Sequence, residues 1–183
     1  MLLNNKKWVA FFSHTGNEIY NISKSIGRFP DRVVTNNSPD SEHINKKLLS
    51  KVDVVYTRDK PDEEDYNRVI WNDSVVTLHG WMRIIPKRVC KDFDMYNLHP
   101  GLISKYPELK GADPQKRIYN STKTYKEVGC VIHKVTGKVD SGKILFERST
   151  FNHYSGEDML IEALHDIAGD MWVDFLDSDY EIV

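Results

Sequence analysis

Short apolar runs and stretches with helical spacing alternate along the first half of the chain. Lys7 to Ser13 is a compact apolar run that breaks at His14-Thr15-Gly16-Asn17. Ile19, Ile22 and Ile26 then recur at three- and four-residue steps, the mark of a helix with one buried face. Arg32 to Thr35 reads as a second strand, followed by a helix that Ser41 could cap and that carries Asn45, Leu48 and Leu49. Val52 to Tyr56 reads as a third strand and Glu63 to Ile70 as a third helix. Ser74 to Leu78 is a fourth strand, closed by His79-Gly80. Unalternated apolar strands suit a sheet covered on both faces, and strand–helix alternation predicts βαβ units. The expected class is α/β, a mostly parallel sheet with helices on both faces.

The second half changes rhythm. Asp94 to His99 reads as a strand that stops at Pro100-Gly101, because Pro removes a backbone donor and Gly permits a turn. Lys105 to Pro114 is rich in turn formers. Pro114 can open a helix reaching about Tyr119, with Asp113 as its cap. Val128 to Val135 alternates as a strand, 136–142 is loop, and Lys143 to Arg148 is the returning strand. The short loop predicts antiparallel pairing, an antiparallel C-terminal extension of the sheet. Ser155-Gly-Glu-Asp opens a long helix carrying Met159, Leu160, Ala163, Leu164 and Ile167 towards Trp172.

Composition narrows the class of partner. The chain has 183 residues, 40% of them hydrophobic, which suits one globular domain or two small halves sharing a core. Its formal charge of -2, with both signs mixed throughout, offers no basic stripe for nucleic acid. The longest apolar runs, such as Trp8 to Phe12, are too short to span a membrane. Lys6 and Lys7 are not followed by an apolar segment of signal-peptide length, so a cytoplasmic protein is expected. Cys90 and Cys130 lie far apart without ligand-like spacing, which predicts free thiols and no metal site.

Candidate chemistry gathers at strand ends. Strand alternation puts Asn97 and His99 on one side of their strand, with Leu98 facing away. An amide donor and an imidazole thus project together from a strand's carboxyl end, where open α/β sheets form ligand crevices. The Ser13-His14-Thr15-Gly16-Asn17 loop between the first strand and its helix can turn backbone N–H groups towards an anion. It resembles the phosphate loop of flavodoxins, which would make the protein an FMN carrier, but Glu18 replaces that pattern's last hydroxyl and disfavours a phosphate. Trp81, Met82, Arg83, Ile84 and Ile85 leave the fourth strand through Gly80. They read either as core packing or as an apolar slot for a flat ring.

Taken together, these segments resemble the formyltransferase family that uses 10-formyltetrahydrofolate, and within it most closely the glycinamide ribonucleotide transformylases. The family's Asn-x-His-Pro stands as Asn97-Leu98-His99-Pro100, and its Gly-x-x-x-His-x-Val…Asp-x-Gly as Gly129…His133-Lys-Val…Asp140-Ser-Gly142. Gly80-Trp81-Met82-Arg83-Ile84 looks like the family's pterin-pocket segment. The likeness runs in order from Val9 to about Trp172 and implies a Rossmann-like formyltransferase fold. It further implies a single domain over 1–183, with a Rossmann-like half at 1–98 and a catalytic and folate-cleft half at 99–183. By resemblance, Asn97, His99 and Asp140 are catalytic, with Asp140 holding His99 charged. Trp81, Met82, Arg83, Ile84, Ile85, His133, Val139 and Asp140 would line the folate site, with His133 either packing behind it or acting directly. Ser13, Thr15, Gly16, Asn17 and Glu18 would meet the acceptor. The co-substrate would be 10-formyltetrahydrofolate without a metal, and the partner a small-molecule amine, with the chain a monomer or homodimer.

Departures fall on the acceptor side. The Ser and Asn that hold the substrate phosphate in the family's first loop stand here as Asn17 and Glu18. The last helix's Glu-His pair stands as Ala168-Gly169, with Glu162 and Asp166 as nearby carboxylates that could substitute. The residue after His-Pro is Gly101 rather than Ser. These changes imply formyl transfer to an altered amine. Sugar-nucleotide and methionyl-tRNA formyltransferases share the signature but usually continue into a further domain, and formyltetrahydrofolate deformylases carry an extra amino-terminal one. A folate-binding module without turnover is a further alternative.

Overall fold

Trp8, Ala10 and Phe12 point to one side of the first strand and Val9 and Phe11 to the other, and all five are buried. That strand must therefore be central, with a core on each face. The computed structural model describes residues 2–177. Its strands are β1 (Lys7–Phe12), β2 (Arg32–Thr35), β3 (Asp53–Tyr56), β4 (Ser74–His79), β5 (Asp94–His99), β6 (Glu127–Lys134) and β7 (Ile144–Phe151). They form one seven-stranded sheet in the order β3-β2-β1-β4-β5-β6-β7. The first five strands are parallel, while β6 runs antiparallel to β5 and β7 antiparallel to β6. The edge strand β3 is half exposed and β7 alternates, unlike the continuous burial of β1 and β4. The expected α/β class and antiparallel extension are both present.

The helices are α1 (Asn17–Ile26), α2 (Lys46–Leu49), α3 (Glu63–Val69), α4 (Val89–Asp92), α5 (Pro114–Asn120) and α6 (Glu157–Asp177). Ile19, Ile22, Leu48, Ile118, Leu164 and Trp172 cover one face of the sheet. Tyr66, Val69, Val89 and Cys90 of α3 and α4 cover the other. Chain order reverses between β1 and β4, since the chain leaves β1 for β2 on one side and returns to β4 on the other. Loops diverge there and leave a crevice at the strands' carboxyl ends.

Four local expectations are corrected. Ser41 does not cap α2: Asn45 does, accepting from the N–H groups of Lys47 and Leu48, so the helix is one turn long. Asp113 precedes α5 in a left-handed conformation, at φ 50°, and its side chain makes no capping bond. Met159 is 52% exposed and lies off the buried stripe of α6, which runs through Leu160, Leu164 and Ala168. The returning strand starts at Ile144 rather than Lys143 and extends to Phe151. Cys90 and Cys130 are free and buried. The end of the predicted 99–183 half, residues 178–183, lies outside the described residues. Among the described residues no helix is long and apolar enough to cross a membrane.

Candidate active site

The antiparallel turn of β6 onto β5 assembles the principal site. Register pairs Asn97 with His133 and His99 with Val131, so His133 shares the face of Asn97 and His99. Close approach explains the two glycines of the second signature. A Cβ on Gly129 would lie 2.0 Å from the carbonyl oxygen of Arg148, and one on Gly142 1.7 Å from that of Lys134. Both glycines let backbones meet, and Gly142 closes the loop that carries Asp140. Asp140 itself sits at φ 43°, a left-handed conformation that costs most residues energy but that Asp tolerates.

The loop aims the Asp140 carboxylate between two imidazoles. Asp140 Oδ2 lies 3.2 Å from His99 Nδ1, and Oδ1 lies 3.3 Å from His133 Nε2. The Gly111 N–H donates to Oδ2 at 2.8 Å. His133 Nε2 also lies 3.3 Å from Asn97 Nδ2, while His133 Nδ1 donates to the Lys134 carbonyl at 3.0 Å. His99 Nε2 donates to the Leu109 carbonyl at 2.9 Å. Contacts therefore run from Asn97 through His133 and Asp140 to His99. Leu109 and Gly111 sit over the far end, on a loop gathered by Arg117, which donates to the carbonyls of Glu108, Leu109 and Lys110.

Burial decides the protonation of this cluster. His99 is 5% exposed, and loss of water lowers its affinity for a proton more than the Asp140 carboxylate and the Leu109 carbonyl raise it. Asp140 is the main group opposing this loss, and both ring nitrogens of His99 face acceptors, the Leu109 carbonyl and the Asp140 carboxylate. Burial pushes the Asp140 carboxyl up. The hydrogen bond of His133, the attraction of His99 and the Gly111 N–H outweigh it and hold Asp140 below 3.8. Asp140 is the fixed charge of the site. His133, expected to line the folate site, to pack behind it or to act directly, touches both Asn97 and Asp140. Only the strand register could have revealed that.

The segment after β4 divides. Trp81 and Ile85 are buried, with Trp81 Nε1 donating to the Tyr66 hydroxyl at 3.1 Å and its ring edge-on to Phe11 at 5.3 Å. Met82, Ile84 and Val139 are exposed. Arg83 pairs with Asp59. The 136–142 loop meets this segment's continuation, since a Cβ on Gly137 would lie 2.8 Å from Lys87 Cβ.

The first loop is closed upon itself. Ser13 Oγ accepts from the Met82 N–H at 3.1 Å, and Thr15 Oγ1 accepts from the Asn17 N–H at 3.2 Å. Asn17 Oδ1 accepts from Asn45 Nδ2 at 2.8 Å. Gly16 takes the left-handed turn, φ 74°, that starts α1. Glu18 does not hang free beside the helix terminus: its Oε2 accepts from His79 Nδ1 at 2.6 Å. His79 was read only as a strand terminator. In α6, Ala168 is buried, whereas Glu162 and Asp166 are exposed on other faces, so neither replaces the missing carboxylate.

A doubly wound sheet with an amide–imidazole–carboxylate cluster beside its crevice defines an α/β protein built for chemistry on a small bound molecule. The chain belongs to the formyl transferase family, whose profile matches residues 19–170. A phosphoribosylglycinamide formyltransferase of Dictyostelium discoideum is 36% identical over 84 residues, 41% of this chain and 39% of that protein. The chain thus spans about two fifths of that relative's length. A solved phosphoribosylglycinamide formyltransferase of Campylobacter jejuni superposes with a TM-score of 0.79 at 21% identity, covering 94% of this chain and 98% of the other. A formyltetrahydrofolate deformylase of Pseudomonas putida superposes with a TM-score of 0.73 at 23% identity, over 93% and 64%. These likenesses establish the Rossmann-like formyltransferase fold.

Proposed function

We propose that this protein is a cytoplasmic enzyme that transfers the formyl group of 10-formyltetrahydrofolate to a primary amine of a small molecule. The observation that carries this reading is the Asn97–His133–Asp140–His99 cluster at the end of β5, in a chain of this family. Attack of an amine on a formyl carbon builds an oxyanion, and the attacking nitrogen must then shed a proton. Asn97 is the fixed amide donor for that oxyanion, a role worth roughly 10²–10³ in rate. His99 is the second donor, after its Nε2 exchanges the Leu109 carbonyl for the reacting oxygen. Negative charge growing beside the imidazole raises its affinity for a proton as the transition state forms, and Asp140 stabilises the imidazolium. Asp140 is also the base that takes the amine proton through water, and that proton passes to N10 of the folate as the C–N10 bond breaks and tetrahydrofolate leaves. His133 orients Asp140 and Asn97.

The folate ring is placed against Met82, Ile84 and Val139, which are apolar and open to solvent. The acceptor differs from glycinamide ribonucleotide. In the first loop, Ser13, Thr15 and Asn17 already bond to the protein itself, and Glu18 adds a negative charge where a phosphate would have to lie. Like charges a few ångströms apart repel by roughly 1–4 kcal/mol, depending on the local dielectric. The deciding experiment is a screen of amines with the formyl donor, following release of tetrahydrofolate. Glycinamide ribonucleotide should show a raised KM, and its efficient formylation at micromolar concentration would overturn the altered acceptor. A flavodoxin-like FMN carrier and a sugar-nucleotide enzyme are not favoured by the family match, and no carboxylate of α6 replaces Ala168.

A further inference from the structure

A second imidazole–carboxylate pair lies at the chain-order reversal, outside the catalytic cluster. His79 ends β4, and Glu18 belongs to the first turn of α1, just after β1. β1 and β4 are the neighbours between which the sheet's order reverses. The pair therefore spans the crevice that doubly wound sheets use for ligands. The His79 side chain is 1% exposed, whereas that of Glu18 is 37% exposed. Buried polar atoms run behind them. Trp8 Nε1 donates to Thr77 Oγ1 at 2.8 Å, and Thr77 Oγ1 lies 2.8 Å from His79 Nε2. Because the Thr77 oxygen already accepts from Trp8, its own proton can pass to His79 Nε2. His79 then donates from Nδ1 to Glu18. This polarity satisfies every donor and points the whole series at one carboxylate oxygen, Oε2. Trp172 packs on the His79 ring at 4.8 Å and fixes it.

The structure assigns Glu18, held by His79, as the anchor for a positively charged group at the far end of the acceptor, which we infer to be an amine with a second cationic group and no phosphate. The inference rests on the formyl-transfer reading and sharpens it. The hydrogen bond to His79 engages Oε2, on a side chain that is 37% exposed to solvent. A carboxylate there complements an ammonium and repels a phosphate. The Trp8 and Thr77 groups behind His79 are uncharged and supply only dipoles. β4 pairs directly with β5, Leu78 opposite Asn97, so the strand ending at His79 is the immediate neighbour of the strand bearing Asn97 and His99. The two pairs use opposite faces of the sheet, but both lie at its carboxyl end. The acceptor would cross that edge of the sheet to place one amine at Asn97 and His99 and the other at Glu18.

Three acceptors built on the same four-carbon chain test this: putrescine, aminobutanol and aminobutyl phosphate, each with the formyl donor, on the wild-type protein and Glu18→Gln. Gln still accepts from His79 Nδ1, so a purely structural role for Glu18 would be rescued, while the charge would not. Wild type should prefer putrescine to aminobutyl phosphate by at least tenfold in kcat/KM. Glu18→Gln should lower kcat/KM for putrescine about tenfold, mainly through KM, and lower it for aminobutanol far less. Preference of the wild type for the phosphate, or an equal response of all three to Glu18→Gln, overturns the inference while leaving formyl transfer standing. Thermal shift with putrescine is read in parallel. Stabilisation of wild type but not of Glu18→Gln, without any tetrahydrofolate release, supports the cation anchor and overturns formyl transfer to these amines. Neither stabilisation nor turnover with putrescine overturns the anchor.

Discussion

His99–Asp140 and His79–Glu18 are both imidazole–carboxylate pairs at the carboxyl end of one sheet, yet they are built in opposite senses. In the first the carboxylate is nearly as buried as the imidazole, at side-chain exposures of 9% and 6%, and is shared with a second imidazole and a backbone N–H. In the second only the imidazole is buried, and the half-exposed carboxylate meets it through one oxygen. A carboxylate enclosed by donors acts through the groups it orients. One left open acts on whatever arrives from solvent. On the proposed reading the same two functional groups would serve chemistry in one place and recognition in the other, with burial of the carboxylate making the difference.

The largest expected effect breaks the enclosed pair. His99→Ala or Asp140→Asn should cut turnover by at least 10²-fold with near-ultraviolet circular dichroism unchanged, the scale of a lost oxyanion donor or its charge partner. Near-normal turnover of both variants on an accepted amine would remove Asn97, His99 and Asp140 as a catalytic unit. Next in size is the proposed folate site. A folate analogue at 100 times its Kd should stabilise the protein by about 2.7 kcal/mol through preferential binding to the folded chain. Met82→Ala and Ile84→Ala should diminish that gain without lowering the stability of the free protein, since both side chains are exposed. Calorimetry that finds no folate binding to the folded protein would refute the placement.

A smaller effect distinguishes the supports of the second pair. Trp8→Phe removes the donor behind Thr77, and loss of one buried hydrogen bond should cost about 1 kcal/mol in chemical denaturation. It should leave the His99–Asp140 chemistry intact, measured as kcat on a neutral amine. A fall in kcat comparable to that of Asp140→Asn would show that the pairs are coupled.

The smallest effect is a slope of stability with pH. Burial lowers the affinity of His99 for a proton below that of an ordinary histidine, 6.5. Below pH 6.5 the unfolded chain therefore takes up this proton first. The contribution to stability is complete above 6.5 and is lost as pH falls towards the lowered folded value. Asp140 is also lowered, from 3.8, and its contribution is complete above 3.8 and lost as pH falls through its folded value. His99→Asn should flatten the stability curve below pH 6.5 relative to wild type, while His79→Asn should leave the His99 portion in place. A curve of identical slope in His99→Asn and wild type would refute the burial argument.

Much of this architecture was legible in the residues themselves. Strand β2 and strand β5 run where their apolar residues and the Pro100-Gly101 stop place them, because local backbone chemistry suffices to start and end a strand. Asn97 and His99 share a face for the same local reason. Capping at Asn45 instead of Ser41 was missed because several turn formers compete there, and only packing of Leu48 selects among them. The role of His133 depended on the antiparallel register of β6 against β5, a pairing between segments some 36 residues apart. Glu18 carried a sequence signal, a carboxylate in a phosphate-type loop, but its partner His79 lies 61 residues away and reads in isolation as the end of a strand. Residue type and spacing thus determined which groups this protein has and which strand ends bear them. Tertiary structure alone decided which carboxylate faces which imidazole and which stays wet, because burial and opposition across strands arise only when distant segments pack.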